Sequence, residues 1–230
     1  MVNLRHLRKP DGEALADHVV VIGLGRFGQS VALELMASGA DVLGIDIAED
    51  FVQPLNGRLT HVVQADATRE EVLRQLGVHE AEYVVVAIGD SIEASLLTAS
   101  LVLSFDVPHV WAEAVSDAHG RILEQIGVHH VVHPEREIGK RVAHQLHARL
   151  RDYIELGGGY ALVRSTPPAA VVGRPIREVH VRRTYGVTII ASKGAGGDWK
   201  DVTGDTVLSA DDEILLTGPI ARAERFHMTR

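Results

Sequence analysis

A chain of 230 residues with 46% apolar and 23% charged side chains has the material for one large or two small domains with a buried core. Aromatics make up only 4%, so that core is aliphatic, as a parallel sheet buried on both faces requires. A net charge of -8 argues against nucleic acid as a partner, and the absence of cysteine excludes disulfides, thiolate metal sites and cysteine nucleophiles. No apolar run approaches the roughly 18 residues that cross a bilayer, and Met1–Ala16 carries charges without the apolar stretch of a secretory signal. The expectation is a cytoplasmic protein that meets a membrane only through a partner.

In chain order, His18–Ile22 reads as a buried strand, followed by a glycine loop and a helix over Gln29–Ala37 that Gly39 ends. Asp41–Asp46 is the second strand. Further strands are predicted at His61–Gln64, Glu82–Ile88, His109–Ala114 and His129–Val132. Helices are predicted between them at Glu49–Asn56, Arg69–Leu76, Ser91–Ser104 and Asp117–Ile126, with Pro54 interrupting the first. This alternation implies an α/β fold with a doubly wound parallel sheet of the Rossmann type over residues 17–134. Ile138, Val142, Leu146, Leu150 and Ile154 recur every four residues, so Glu135–Leu156 reads as one long helix with an apolar stripe that packs on a second subunit or on its own sheet. Gly157-Gly158-Gly159 marks a boundary. Residues 157–230 read as a small α+β module with strands at Tyr160–Arg164, Val187–Ser192 and Glu213–Thr217 and a short helix at Ile176–Arg183.

The loop Gly23-Leu24-Gly25-Arg26-Phe27-Gly28 has the spacing of a phosphate loop, with a strand before it and a helix after it. Gly23 permits the turn, Gly25 lets a phosphate reach the backbone, and Gly28 lets helix and strand approach. The helix start then offers unpaired N–H groups to an anion. Asp46 ends the next strand, about 18 residues beyond Gly28, where a ribose-binding carboxylate is expected. It would repel a 2′-phosphate. Arg26 places a guanidinium inside the loop, suited to the extended phosphates of ATP or ADP, in its own site or a neighbour's. Asp66, Ala67 and Thr68 follow the third strand, and Ala87, Ile88 and Gly89 the fourth, at the strand ends where ligands bind in open sheets. For Asp66, capping a helix is the alternative to touching ligand. Glu135 opens the long helix and is a candidate ligand for a divalent cation shared with the phosphates; the alternative is an acidic residue favoured in a first helical turn.

Together, Val21–Gly28, Gly44–Asp46, Asp66–Thr68, Val86–Gly89 and His133-Pro134-Glu135, with Ile176–Val179, Tyr185–Ile190 and Gly204–Gly218 in the tail, resemble the RCK (regulator of K⁺ conductance) family over residues 18–226. The nearest likeness is to the cytosolic subunits of bacterial Ktr and Trk potassium-uptake systems. That resemblance implies a regulatory subunit rather than an enzyme. It implies an adenine nucleotide as ligand, ATP or ADP in Ktr-like members and NAD(H) in some Trk-like ones. It implies dimers assembled into an octameric ring, docked on a membrane-embedded potassium channel or transporter subunit at the inner face of the membrane. It places Gly23, Leu24, Gly25, Arg26, Phe27 and Gly28 on phosphates, Asp46 and Ile47 at the ribose, Asp66, Ala67, Thr68, Ala87, Ile88 and Gly89 around adenosine, and Glu135 on a divalent cation, Mg or Ca. Glu113 stands where such proteins often carry a lysine facing phosphates; a carboxylate there repels phosphate or joins Glu135 at a cation. In some relatives the C-terminal domain binds cyclic di-AMP, in the region of Pro175–His180. An NAD-dependent oxidoreductase is the alternative that the first 130 residues permit, against which the small C-terminal module offers no clear proton-transfer pair.

Overall fold

The computed structural model describes residues 18–148 and 152–227, which form two units divided between Glu135 and Arg136. The charged Met1–Ala16 segment lies outside the described residues, as does Leu150 of the expected apolar stripe.

In the first unit the chain alternates strand and helix: β1 (His18–Ile22), α1 (Arg26–Ala37), β2 (Asp41–Asp46), α2 (Glu49–Val52), β3 (His61–Gln64), α3 (Glu70–Gln75), β4 (Tyr83–Val86), α4 (Ile92–Ser104), β5 (His109–Glu113), α5 (Asp117–Gln125) and β6 (His130–Val132), after which α6 (Pro134–Ala148) begins and continues into the second unit. The six strands form one parallel sheet in the order β3-β2-β1-β4-β5-β6. Strand side chains alternate between faces, and both faces are covered. Val20, Ile22, Val84, Val86, Val110 and Ala112 pack with Leu73 of α3, Ala99 and Val102 of α4 and Leu123 of α5. Val19, Val21, Val42 and Val85 pack on the opposite side with Ala32 of α1, Val52 of α2 and Leu55. That is why β1 reads as an unbroken apolar run. Strand order reverses between β1 and β4, so the loops after these two strands leave toward opposite faces and open a crevice between them.

Two helices depart from expectation here. The helix after the glycine loop begins at Arg26, three residues before the expected Gln29. The helix expected over Glu49–Asn56 is α only to Val52, after which Pro54 sits in a 3₁₀ turn, Gln53–Leu55, because its ring cannot donate the next helical hydrogen bond.

The second unit follows with β7 (Asp152–Gly157), β8 (Tyr160–Ser165), α7 (Ile176–Val179), α8 (Val181–Tyr185), β9 (Thr188–Lys193), β10 (Lys200–Asp201), β11 (Glu213–Pro219) and α9 (Ile220–His227). Its sheet is antiparallel, in the order β10-β9-β11-β8-β7. Val163, Ile189, Ile214 and Leu216 form its core with Val179, Val181, Ala223 and Phe226 of the helices.

The long helix expected to reach Leu156 is corrected here. Asp152–Gly157 is a strand paired antiparallel with β8, with Tyr153 buried and Ile154 exposed. Gly157, Gly158 and Gly159 all have positive φ (+87°, +61°, +76°) and turn that hairpin. Ile154 fitted a four-residue period by coincidence; its six-residue segment pairs with the strand beyond the glycines. The expected helix Ile176–Arg183 is broken at His180, which adopts φ +51° between α7 and α8.

Candidate functional site

Six parallel strands present their carboxyl ends at one edge of the sheet, and the loops there carry most of the residues singled out in the sequence. The glycine loop is fixed by backbone contacts. The Gly23 N–H donates to the Ile45 carbonyl at 2.8 Å. Gly23 has φ +92°, and a Cβ on it would overlap the Ala87 carbonyl. A Cβ on Gly28 would overlap the Gly23 carbonyl oxygen and lie 3.2 Å from the Ala87 Cβ. Both positions therefore require glycine, for conformation at the first and for close approach at both. Gly25 differs. Its φ of −64° is ordinary, and a Cβ there would meet no heavy atom within 4 Å. Gly25 is also the N-cap of α1 and supplies no side-chain cap, so the first N–H groups of the helix have no capping side chain. A phosphate fits this arrangement: room above the backbone, donors at the helix start and the positive end of the helix dipole.

Asp46 ties the loop to β2. Its Oδ2 accepts from the Leu24 N–H at 2.6 Å, and its Oδ1 from the Ala48 N–H at 2.8 Å. Each oxygen has a second lone pair, enough to accept from a ribose hydroxyl. Gln29, not anticipated in the sequence, holds the loop from the helix side: its Nε2 donates to the Leu24 carbonyl at 2.8 Å. A polar residue one turn into the helix was the available signal. Leu24 is fully buried and Phe27 packs in the α1-side core, so these two side chains point into the fold and offer a ligand only their backbone. Ile47 is 67% exposed at the rim.

Asp66 neither caps α3, whose N-cap is Arg69, nor leaves its carboxylate free. Its Oδ1 accepts from the Thr68 hydroxyl at 2.6 Å and the Thr68 N–H at 3.0 Å, and the hydroxyl bond is the main reason the carboxyl sits below its ordinary pKa. Ala67 is buried, and its carbonyl accepts from Thr98. Ala87 is bonded back to Ile22 at 2.6 Å, Ile88 is half-buried, and Gly89 is exposed.

Glu113 ends β5 and is only 6% exposed. Burial pushes its carboxyl above the ordinary range, Glu135 adds to that push, and Arg26 opposes it. A Cβ on Gly89 would lie 3.6 Å from both Glu113 carboxylate oxygens. Gly89 and Glu113 thus lie side by side. Arg26 and Glu135 are exposed. Among the described residues no three His, Cys, Asp or Glu side chains gather as a cation site. Glu135 supplies one carboxylate, and a hard cation there would need further oxygens from phosphates or another subunit.

The histidines are spoken for differently. His129 Nδ1 accepts from the Val110 N–H, and His130 stacks on Trp111 at 4.2 Å between ring centroids. His119, missed in the sequence, is 1% exposed in the first turn of α5, with its Nε2 unpartnered among the described residues. Burial, and secondarily the charge of His133, hold it below its ordinary pKa.

A Rossmann sheet with this glycine loop and strand-end aspartate, followed by a small antiparallel unit, is the architecture of an RCK-type protein. The fold agrees: a solved GsuK RCK domain superposes with a TM-score of 0.63 at 20% identity, over 97% of this chain and 51% of that one, so the chain spans about half its length. The chain belongs to the TrkA family of potassium-uptake proteins. A TrkA-N domain matches residues 19–134 and a TrkA-C domain residues 160–229. It is 36% identical to Ktr system potassium uptake protein A of Bacillus subtilis, over 90% of this chain and 93% of that one. It is 34% identical to Ktr system potassium uptake protein C of the same organism, over 90% and 94%. With the protein A of Vibrio alginolyticus it shares 33%, over 86% and 91%.

Proposed function

We propose that this chain is a non-catalytic, nucleotide-sensing regulatory subunit of a bacterial potassium-uptake system, with an adenine nucleotide, ATP or ADP, bound at the glycine loop. The observation that carries this reading is the open space at Gly25 above uncapped helix N–H groups, with Asp46 holding the loop and positioned for a ribose. The relatives named for Ktr potassium uptake support the membrane partner, a channel or transporter subunit on which this chain docks from the cytoplasmic side. Among the described residues no helix is long and apolar enough to cross a membrane, consistent with attachment through that partner.

Residues 17–134 are the nucleotide-binding part of this reading, with phosphates at Gly23–Gly28, ribose at Asp46 and Ile47, adenosine against Asp66–Thr68 and Ala87–Gly89, and a divalent cation at Glu135. Self-assembly completes it. The exposed apolar residues Ile92 and Leu97 of α4, Ile122 of α5 and Ile138, Val142 and Leu146 of α6 supply area for dimers that build an octameric ring. A ligand controls such a ring by binding one conformation better than another.

NAD(H) is the second reading. A channel of the same fold, GsuK, has been solved bound to NAD, with a TM-score of 0.63, and a carboxylate at Asp46 suits an unphosphorylated ribose. Calorimetric titration of the whole protein with ATP, ADP, NADH and cyclic di-AMP, with its mass followed by light scattering, separates these readings. Binding of ATP or ADP by an oligomer is expected. NADH binding with substrate turnover, or a monomer under every condition, refutes the proposal. Binding of cyclic di-AMP would place a second ligand in the C-terminal module.

A further inference from the structure

The second unit holds a cavity that the nucleotide reading leaves unused. It measures about 260 Å³ and is lined by Thr184 and Tyr185 of α8 with Arg222, Arg225 and Phe226 of α9. Phe226 is buried and meets the Tyr185 ring edge to face, with centroids 5.1 Å apart. Thr184, Arg222 and Arg225 are exposed. The two arginines stand three residues apart, neighbours one turn along α9. Arg225 Nε donates to the Ala221 carbonyl at 3.0 Å, which holds that side chain along the helix. The Arg222 side chain lies against Gly186, where an added Cβ would come 2.5 Å from the Arg222 Cδ. Arg222 forms no ion pair or hydrogen bond with any described residue. No carboxylate lines the cavity, although the chain carries 31 acidic residues against 23 basic ones. Two guanidinium groups that cannot deprotonate thus share one concave space with no opposite charge in its walls.

We propose that this cavity is a second ligand site, taking the phosphate group of a small anion between Arg222 and Arg225, with the Thr184 hydroxyl as a further donor. The donors set the chemistry. A guanidinium is a planar fork that matches phosphate oxygens, and two forks with a hydroxyl offer more donors than a single carboxylate accepts. Size sets the rest. At about 260 Å³ the space falls below the roughly 300–1,000 Å³ of pockets that enclose drug-sized ligands. It suits inorganic phosphate, pyrophosphate or a phosphate head group, and not a whole cyclic dinucleotide. None of Pro175–His180 lines it, so it is separate from the region where the family resemblance puts cyclic di-AMP. The phosphate can come from a free phosphate compound or from an anionic lipid head group at a membrane surface, and the test separates the two. The site stands whether or not the glycine loop binds nucleotide.

The test is a calorimetric titration of the full chain with pyrophosphate at about 150 mM salt, where surface charge alone is largely screened. Wild type is compared with Gly25→Ala, which weakens the glycine loop and leaves α9 untouched. Arg222→Gln or Arg225→Gln is then added to Gly25→Ala. The expected result is a site with Kd below about 1 mM that survives Gly25→Ala. Either arginine substitution should weaken it about tenfold or more, since each removes charge-assisted hydrogen bonds. Both arginines are exposed, so the melts should match the parent. Arg222→Lys keeps the charge and loses the fork, and should recover only part of the affinity. Binding that disappears with Gly25→Ala alone leaves the glycine loop as the phosphate site and overturns this one. Binding that both arginine substitutions leave within about twofold overturns it too. Sedimentation with phosphatidylglycerol vesicles then assigns the source. Vesicle binding that pyrophosphate displaces and Arg222→Gln abolishes identifies a lipid head group; pyrophosphate binding without it identifies a free phosphate compound.

Discussion

Gly28 and Gly25 stand three residues apart in one loop, yet alanine at each should do opposite things. At Gly28 the added methyl overlaps the Gly23 carbonyl oxygen and sits 3.0 Å from the Gly23 carbonyl carbon. Neither atom can move freely: Gly23 is bonded to Ile45, and Ala87, behind it, is bonded to Ile22. The clash is with backbone rather than a flexible side-chain end, so relief requires shifting α1 off the sheet. Overpacking of this kind costs about 3 kcal/mol or more, and in a unit of this size that lowers the melting temperature by roughly 10 °C. At Gly25 a Cβ meets nothing within 4 Å and φ is −64°. There the loss of a preferred N-cap residue, a few tenths to about 1 kcal/mol, is offset by a similar gain from a stiffer unfolded chain. Stability should stay within about 0.5 kcal/mol of wild type, while the methyl occupies the space meant for phosphate and weakens nucleotide binding about tenfold or more. Thermal melts and calorimetry on the two variants decide it. A stable Gly28→Ala would show the loop geometry to be wrong, and a Gly25→Ala protein with undiminished affinity would show that no phosphate lies over Gly25.

Asp46→Asn exchanges a carboxylate oxygen for an NH₂ opposite the Leu24 or Ala48 N–H, and should cost about 1–3 kcal/mol in a denaturant melt; an unchanged midpoint refutes the latch. His119 has a folded-state pKa below its ordinary value near 6.5, so between the two the unfolded chain binds the extra proton and stability rises with pH. Its contribution is whole above about pH 7 and is lost as pH falls through 6.5 toward the folded value. Wild type should therefore lose more stability than His119→Gln between pH 7.5 and 5.5, and parallel losses in the two proteins would count against burial as the cause. Leu146→Asp, at a position 78% exposed, should leave the melt of each unit intact and lower the mass measured by light scattering; an oligomer of unchanged mass removes α6 from the assembly surface.

The parallel sheet was legible because burial on both faces writes itself as runs such as Val19–Ile22, and because several turns carry a glycine or a capping serine, as at Gly39, Ser91 and Ser116. The glycine loop was legible for the same reason: its constraints are backbone constraints, and glycine is their visible mark. What stayed hidden depended on tertiary partners. The start of α1 at Arg26 has no capping side chain to announce it, since Gly25 is its N-cap. Strand β7 was invisible because Ile154 satisfied a helical period, and only its pairing with β8 settles the matter. Asp66 looked equally suited to capping and to ligand, but Thr68, two residues on, takes its carboxylate. Glu113 was read as a strand-end carboxylate facing phosphate. Its burial, which changes its chemistry most, depends on loops and helices far away in the chain.

A sensor needs more than a pocket: the ligand must bear on something that distinguishes two states. In this chain the element in question is α6. It starts at Pro134, directly after β6, and it continues into the second unit, which begins at Arg136. Its first turn carries Glu135, whose charge helps hold the Glu113 carboxyl above its ordinary pKa. A phosphate at the proposed site would add its charge to the field at the root of α6, even with no contact to that helix. Placing charge there changes the cost of one helix orientation relative to another by about the energy of one such interaction, on the order of 1 kcal/mol per subunit. That is too little to switch a single copy decisively, since moving an equilibrium from 1:99 to 99:1 takes about 5.5 kcal/mol. Under the proposed assembly into a ring, the same contribution summed over the copies would approach that figure.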